Sequence, residues 1–182
     1  MQSKSILKIL SYLLIIVGVS LVLFNKINYF EDKNVTFNNI KNNSSINYTK
    51  DNEYIMYLKI PKINLDKGLY SIDSNKNNVK YNIEILSKSN MPNEENSNLI
   101  LAAHSGNGKN AYFNNLKKLS LNDEVNVFYD NIEYKYKVVD IYEINKTGKA
   151  VIRRNKNKNT LTMITCSTKD RTKQIVIITE LI

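Results

Sequence analysis

The chain contains no tryptophan, one cysteine, one histidine and three arginines among its 182 residues. Each scarcity narrows the chemistry. A single cysteine, Cys166, excludes an intramolecular disulfide. In a secreted protein such a thiol is buried and inert, pairs between chains, or reacts. One histidine, His104, with scattered carboxylates does not make a ligand set, so neither a metal nor a cofactor is expected. The guanidinium groups are Arg153, Arg154 and Arg171 alone.

What is abundant is Lys, Asn, Ile and Tyr, with 12 tyrosines and a formal charge of +9. The aromatic and β-branched content leans toward β structure. A basic balance suits an anionic partner such as nucleic acid, an anionic membrane face or a wall polymer. The lysines are spread singly among Asn residues and read equally well as a solvated surface.

The N-terminus reads MQSKSILKILSYLLIIVGVSLVLF, uncharged from Ile9 to Phe24. At about 1.5 Å per residue, a helix from Ile6 to Phe24 approaches the ~30 Å hydrocarbon core of a bilayer. Lys4 and Lys8 precede the run and Glu31 and Asp32 follow it, which favours a cytoplasmic N-terminus and an outward-facing remainder. A cleaved signal peptide would end in a small-x-small site, and LVLFNKIN has none. The expectation is a single-pass membrane anchor over residues 1–25. A polar, Asn-rich stalk over 26–52 and an extracellular domain over 53–182 follow it. An outward-facing domain is not expected to meet nucleic acid.

Short strand patterns fill the rest. EYIMYLKIP alternates and stops at Pro61. INLDKGLYSI reads as two short strand-like pieces with a turn near Asp66 to Gly68. VKYNIEILSKSN is ambiguous and fits a short helix. NLILAAHSG is a buried strand with a Gly stop, and AYFNNLKKL has helical spacing for one or two turns. EVNVFYD and IEYKYKVVDIYEI form a hairpin around Asp130-Asn131, and NTLTMITC and QIVIITELI are the last two strands. Many short strands with little helix point to a closed or nearly closed β-barrel.

His104 ends NLILAA and Cys166 ends TLTMIT, and Ser105 and Ser167 follow them. With a side-chain period of two, a strand-end residue can project at a barrel rim. A Cys, a His and an Arg at the ends of separate strands suffice for acyl transfer. The thiolate attacks a carbonyl, the imidazole handles the proton of the leaving amine, and a guanidinium stabilises the oxyanion. The same residues also fit plainer roles. Cys166 suits a small buried hydrophobe, His104 a capping residue, and Arg171 part of a solvated turn with Lys169, Asp170 and Lys173.

TLTMITC resembles the TLxTC signature of sortases, the membrane-anchored cysteine transpeptidases of Gram-positive bacteria. Here three residues, Thr162, Met163 and Ile164, stand between Leu161 and Thr165, where the signature has one. NLILAAHSG resembles the family's strand ending in a catalytic His, with Ala103 in the usual Gly place. FNNLKKLSLNDEVNVFY resembles the segment that follows, with Asn122-Asp123 for the usual Gly-Asp. YLKIPKINLDKGLY resembles the first barrel strands. The likeness runs from about Tyr54 to Ile182 and implies the closed eight-stranded sortase-type β-barrel with short helices, behind an N-terminal transmembrane helix. It implies that Cys166 attacks the carbonyl between Thr and Gly of an LPxTG-like sorting signal to form a thioacyl enzyme. His104 serves as general acid and base. An amine acceptor, a peptidoglycan precursor or a pilin Lys, resolves the intermediate. The family's arginine sits about eight residues after the Cys, where this chain has Gln174. Arg171 is the expected oxyanion stabiliser, with Gln174 and Lys173 as alternatives. By the same analogy, TGKAVIRRNKNK reads the sorting motif. No lid segment stands out in 31–53. Two further readings remain: a non-catalytic tethered barrel that binds wall polymers or peptides, and a pilin-polymerising sortase.

Overall fold

In a computed structural model, residues 17–20 and 53–182 are described. Residues 17–20 form one helical turn, and the rest of the expected anchor and stalk lies outside the described residues. Among the described residues no helix is long and apolar enough to cross a membrane.

Among the described residues there are eight strands: β1 (Tyr54–Ile60), β2 (Leu65–Tyr70), β3 (Glu84–Ile85), β4 (Asn98–Ala102), β5 (Glu124–Tyr129), β6 (Ile132–Asn145), β7 (Thr160–Cys166) and β8 (Lys173–Leu181). They make a single sheet in the order β2-β1-β5-β6-β8-β7-β4-β3. All the ladders are antiparallel except that between β4 and β7. The expected closed barrel is therefore a nearly closed one. β2 and β3 are its edges, and a two-residue β3 is too short to complete the circle. A side chain spans the seam instead: buried Asn82, just before β3, donates from Nδ2 to the Gly68 carbonyl of β2 at 2.8 Å.

Period-two alternation sorts the apolar side chains into two clusters. Met56, Leu58, Leu99, Leu101, Leu161, Met163 and Ile177 point inward, with Phe113, Leu116 and Tyr136, into the main core. Ile100, Ile164, Val176 and Ile178 occupy the opposite face of β4, β7 and β8, where Leu86, Tyr142, Ile144 and Ile152 pack on them.

Local chemistry explains the turns. Asp130 and Asn131 both take positive φ, 50° and 63°, as a two-residue hairpin of type I′ requires. Asn122 has φ 69°, a left-handed conformation that Asn tolerates, so it stands where Gly is usual without breaking the turn. Its neighbour Asp123 accepts the Ser120 N–H at 2.6 Å and pairs with Lys62 at 2.7 Å. Partial burial alone would raise the Asp123 pKa, but these partners outweigh it and hold the carboxyl below its ordinary value.

Three local expectations change. β2 runs unbroken through Asp66 to Gly68, and the turn falls earlier, at Pro61–Ile63 with Asn64 left-handed. The VKYNIEILSKSN segment holds β3 and turns in place of a helix. The helical spacing of AYFNNLKKL yields only a 3-10 turn at Leu116–Lys118, which is enough to bury Phe113 and Leu116.

Candidate active site

The parallel β4–β7 ladder sets the site. Its register runs from Asn98 opposite Thr160 to Ala102 opposite Ile164. Extended by two residues, it puts His104 beside Cys166 at the carboxyl ends of neighbouring strands. Cys166 follows Ile164 on the face of the second cluster and is half-buried, while His104 is exposed just past the end of β4. The backbone beyond His104 is held from the core side, where the N–H of buried Phe113 donates to the His104 carbonyl at 3.0 Å. Gly106 takes φ 112°, and its N–H donates to Asn114 Oδ1 at 3.0 Å, which turns the chain away from the sheet.

β7 and β8 pair antiparallel, with Cys166 opposite Gln174. Directly opposed residues project from the same face, so Gln174 lies beside the thiol. Lys173 alternates to the other face, where its Nζ is 3.8 Å from Glu143 and 3.9 Å from Asp170. Arg171 is exposed in the β7–β8 connection and has no ion-pair partner among the described residues. The connection is tightly built. The Ser167 N–H donates to Lys173 O at 2.9 Å, and the Lys173 N–H to Asp170 O at 3.0 Å. Hydrogen bonds from the Thr172 hydroxyl and N–H hold the Asp170 carboxyl below its ordinary pKa and keep it charged beside Lys173.

Of the residues expected to act, the fold brings His104 and Cys166 together and sets Gln174 next to them. It leaves Arg171 in the turn and points Lys173 elsewhere. Contacts that the sequence did not reveal surround them. Ser105 Oγ donates to the Cys166 carbonyl at 2.6 Å, and Thr165 Oγ1 to the Ala103 carbonyl at 2.8 Å. Buried Ser167 donates to Glu143 at 3.0 Å. The only signal for the two serines was their matching place after His104 and Cys166. Behind the hairpin, Ile141, Glu143, Ser167, Thr168 and Ile175 line a pocket of about 320 Å³, with Lys117 and Lys169 beside it.

The long β6–β7 connection is pinned at its base. The Tyr142 hydroxyl donates to the Val151 carbonyl and accepts the Arg153 N–H, both at 2.8 Å. Burial raises the Tyr142 pKa, so the phenol keeps its proton for that bond. The Arg153 guanidinium lies 4.8 Å from the Tyr142 ring centre, and Ile152 packs into the second cluster. Arg154 is turned away and caps backbone carbonyls of Ser97, Asn155 and Lys158. Among the described residues no three His, Cys, Asp or Glu side chains converge on a metal position.

The mixed β-barrel thus carries a Cys and a His at the ends of adjacent parallel strands. Residues 58–182 match the family model of the sortase domain, which is more than half of the chain. The chain belongs to the sortase family. Solved structures similar to it include sortase C1 from Streptococcus agalactiae, at 26% identity and TM-score 0.63, covering 79% of this chain and 75% of that one. The Group B Streptococcus pilus island 1 sortase C2 matches at 22% identity and TM-score 0.63, covering 72% and 75%. A lid mutant of sortase A from Corynebacterium diphtheriae matches at 19% identity and TM-score 0.63, covering 71% and 70%. No curated protein sequence matches the chain.

Proposed function

We propose that this sortase-family protein cleaves an LPxTG-like sorting signal between Thr and Gly through a thioacyl intermediate on Cys166. The observation that carries the reading is the parallel β4–β7 register, which draws Cys166 and His104 together from 62 residues apart. The Cys166 thiolate adds to the Thr carbonyl. His104 gives a proton to the departing Gly amine as the C–N bond breaks. An incoming amine, from a peptidoglycan precursor or a pilin Lys, attacks the thioester, gives its proton to His104 and releases the Cys166 thiolate.

The oxyanion donor comes from the β7–β8 hairpin. Arg171 supplies the fixed charge, reaching from the turn, and Gln174 offers a neutral donor beside the thiol. The protein is anchored by residues 1–25 with its barrel outside the cell. The pilus sortases among the similar structures support a polymerase as a second reading, in which the acceptor is a pilin Lys. A non-catalytic barrel is the competing class.

The test is transpeptidation of an LPxTG peptide onto an amine by the full chain in detergent micelles. Activity lost in both Cys166→Ala and His104→Ala, with a peptidyl adduct on Cys166 seen by mass spectrometry in the parent, is the expected result. An active Cys166→Ala variant overturns the mechanism.

A further inference from the structure

The two strand ends that carry His104 and Cys166 are joined by side chains where the backbone ladder gives out. In a parallel pair the rungs are evenly spaced and advance two residues at a time on each strand. The Ala103 N–H donates to the Ile164 carbonyl at 3.3 Å. The next rung would run from the Ser105 N–H to the Cys166 carbonyl. Among the described residues that position is filled by the Ser105 hydroxyl, which donates to Cys166 O at 2.6 Å. The chain has already left the sheet there, drawn away by the Phe113 N–H on the His104 carbonyl and by left-handed Gly106. One rung earlier, the Ala103 carbonyl is taken by the Thr165 hydroxyl at 2.8 Å. Two hydroxyls therefore bracket the His104–Cys166 pair, and Ser105 is the one that binds the cysteine's own carbonyl.

We infer that Ser105 is a positioning residue, which locks the Cys166 main chain to the turn behind His104 and so sets the thiol against the imidazole. The inference rests on the proposed roles of those two residues. A peptide unit fixed at its carbonyl fixes the direction in which the residue's side chain leaves the strand. Without the hydroxyl, the Cys166 carbonyl loses its link to the turn that carries His104. Past the Thr165 bond to Ala103, the half-buried strand end is then held only by the β8 ladder, where Cys166 pairs with Gln174. Small displacements at a reacting centre cost rate and leave ground-state binding in place.

The experiment compares the full chain with Ser105→Ala, Ser105→Thr and Cys166→Ala, with active sites titrated by a thiol-directed substrate analogue. Ser105→Ala should lower kcat per titrated site on the order of 10-fold to 100-fold, the range expected for a slight misplacement. KM should stay near the parent value, and the inflections of kcat/KM against pH should move. Ser105→Thr, which keeps the hydroxyl, should restore most of the rate. If Ser105→Ala gives no folded protein, Ser105→Gly, which also lacks the hydroxyl, is read for kcat and KM in the same way. Parent-like kcat per site in the variant lacking the hydroxyl overturns the inference, as does a Ser105→Thr variant no better than it. Either result with an inactive Cys166→Ala leaves the proposed mechanism standing. An active Cys166→Ala removes both.

Discussion

Cys166 and Gln174 oppose each other across the last hairpin, and Arg171 stands three positions nearer its turn. The two candidate donors differ in kind. A guanidinium holds its charge at any working pH and presents several N–H groups in a planar fork, whereas a carboxamide offers a neutral dipole. Negative charge develops on the carbonyl oxygen during attack, so the charged donor gains more as the transition state forms. Loss of one oxyanion donor costs about 10²- to 10³-fold in kcat, and Arg171→Ala should fall in that range. Arg171→Lys should recover little, because a point charge does not reproduce the fork. Gln174→Ala should cost about 10-fold or less if its role is to line the thiol and add a neutral donor. Single-turnover rates with saturating peptide check the order. A larger loss from Gln174→Ala than from Arg171→Ala transfers the oxyanion role to the carboxamide, which the register already places beside the thiol.

Among the elements, β2 shows what periodicity misses. Asp66-Lys67-Gly68 reads as a turn, because Gly is the common breaker of strands. Gly68 instead lies within β2, opposite Tyr57, because the ring of Tyr54 covers it. A Cβ built there would meet ring carbons of Tyr54 at 2.5 Å, and that ring is held by Tyr57 and Tyr70. The Gly is a place of close approach and not a bend. Gly68→Ala should therefore destabilise the barrel by roughly 1–3 kcal/mol, the usual cost of overpacking. It should lower the urea midpoint at constant m-value, and an unchanged midpoint would mean that the Tyr54 ring simply moves aside. The same contrast runs through the fold. β5 and β6 were legible because their alternation and the Asp130-Asn131 turn are local signals, and β7 and β8 because each is a continuous apolar run. β3 was not, since two residues carry no period. The strand-end placement of His104 and Cys166 was legible too. Their adjacency was not, because the parallel β4–β7 pairing joins segments about 60 residues apart, and no local rule specifies which strands pair. The bonds of Ser105, Ser167 and Glu143 depend on that register, so they emerge only with it.

At the scale of the whole molecule, two forces can hold this chain at a membrane, and they respond differently to salt. One is the apolar run between Ile6 and Phe24, of which residues 17–20 are helical with Val17 and Val19 exposed. The other is the charge of +9, which attracts anionic headgroups. Electrostatic attachment is screened as the Debye length shrinks to about 3 Å at 1 M salt, whereas burial of an apolar helix is not weakened. If residues 1–25 are the anchor, the full chain stays with sedimented membranes through a 1 M NaCl wash and leaves only with detergent. A charge at the centre of a spanning helix costs about 2.5–3.5 kcal/mol on insertion scales, so Ile15→Arg combined with Ile16→Arg should shift the chain to the soluble fraction. Release of the parent chain by salt alone would assign its membrane attachment to the basic surface. The apolar run would then have to be explained in another way, with the barrel working at an anionic surface without a tether.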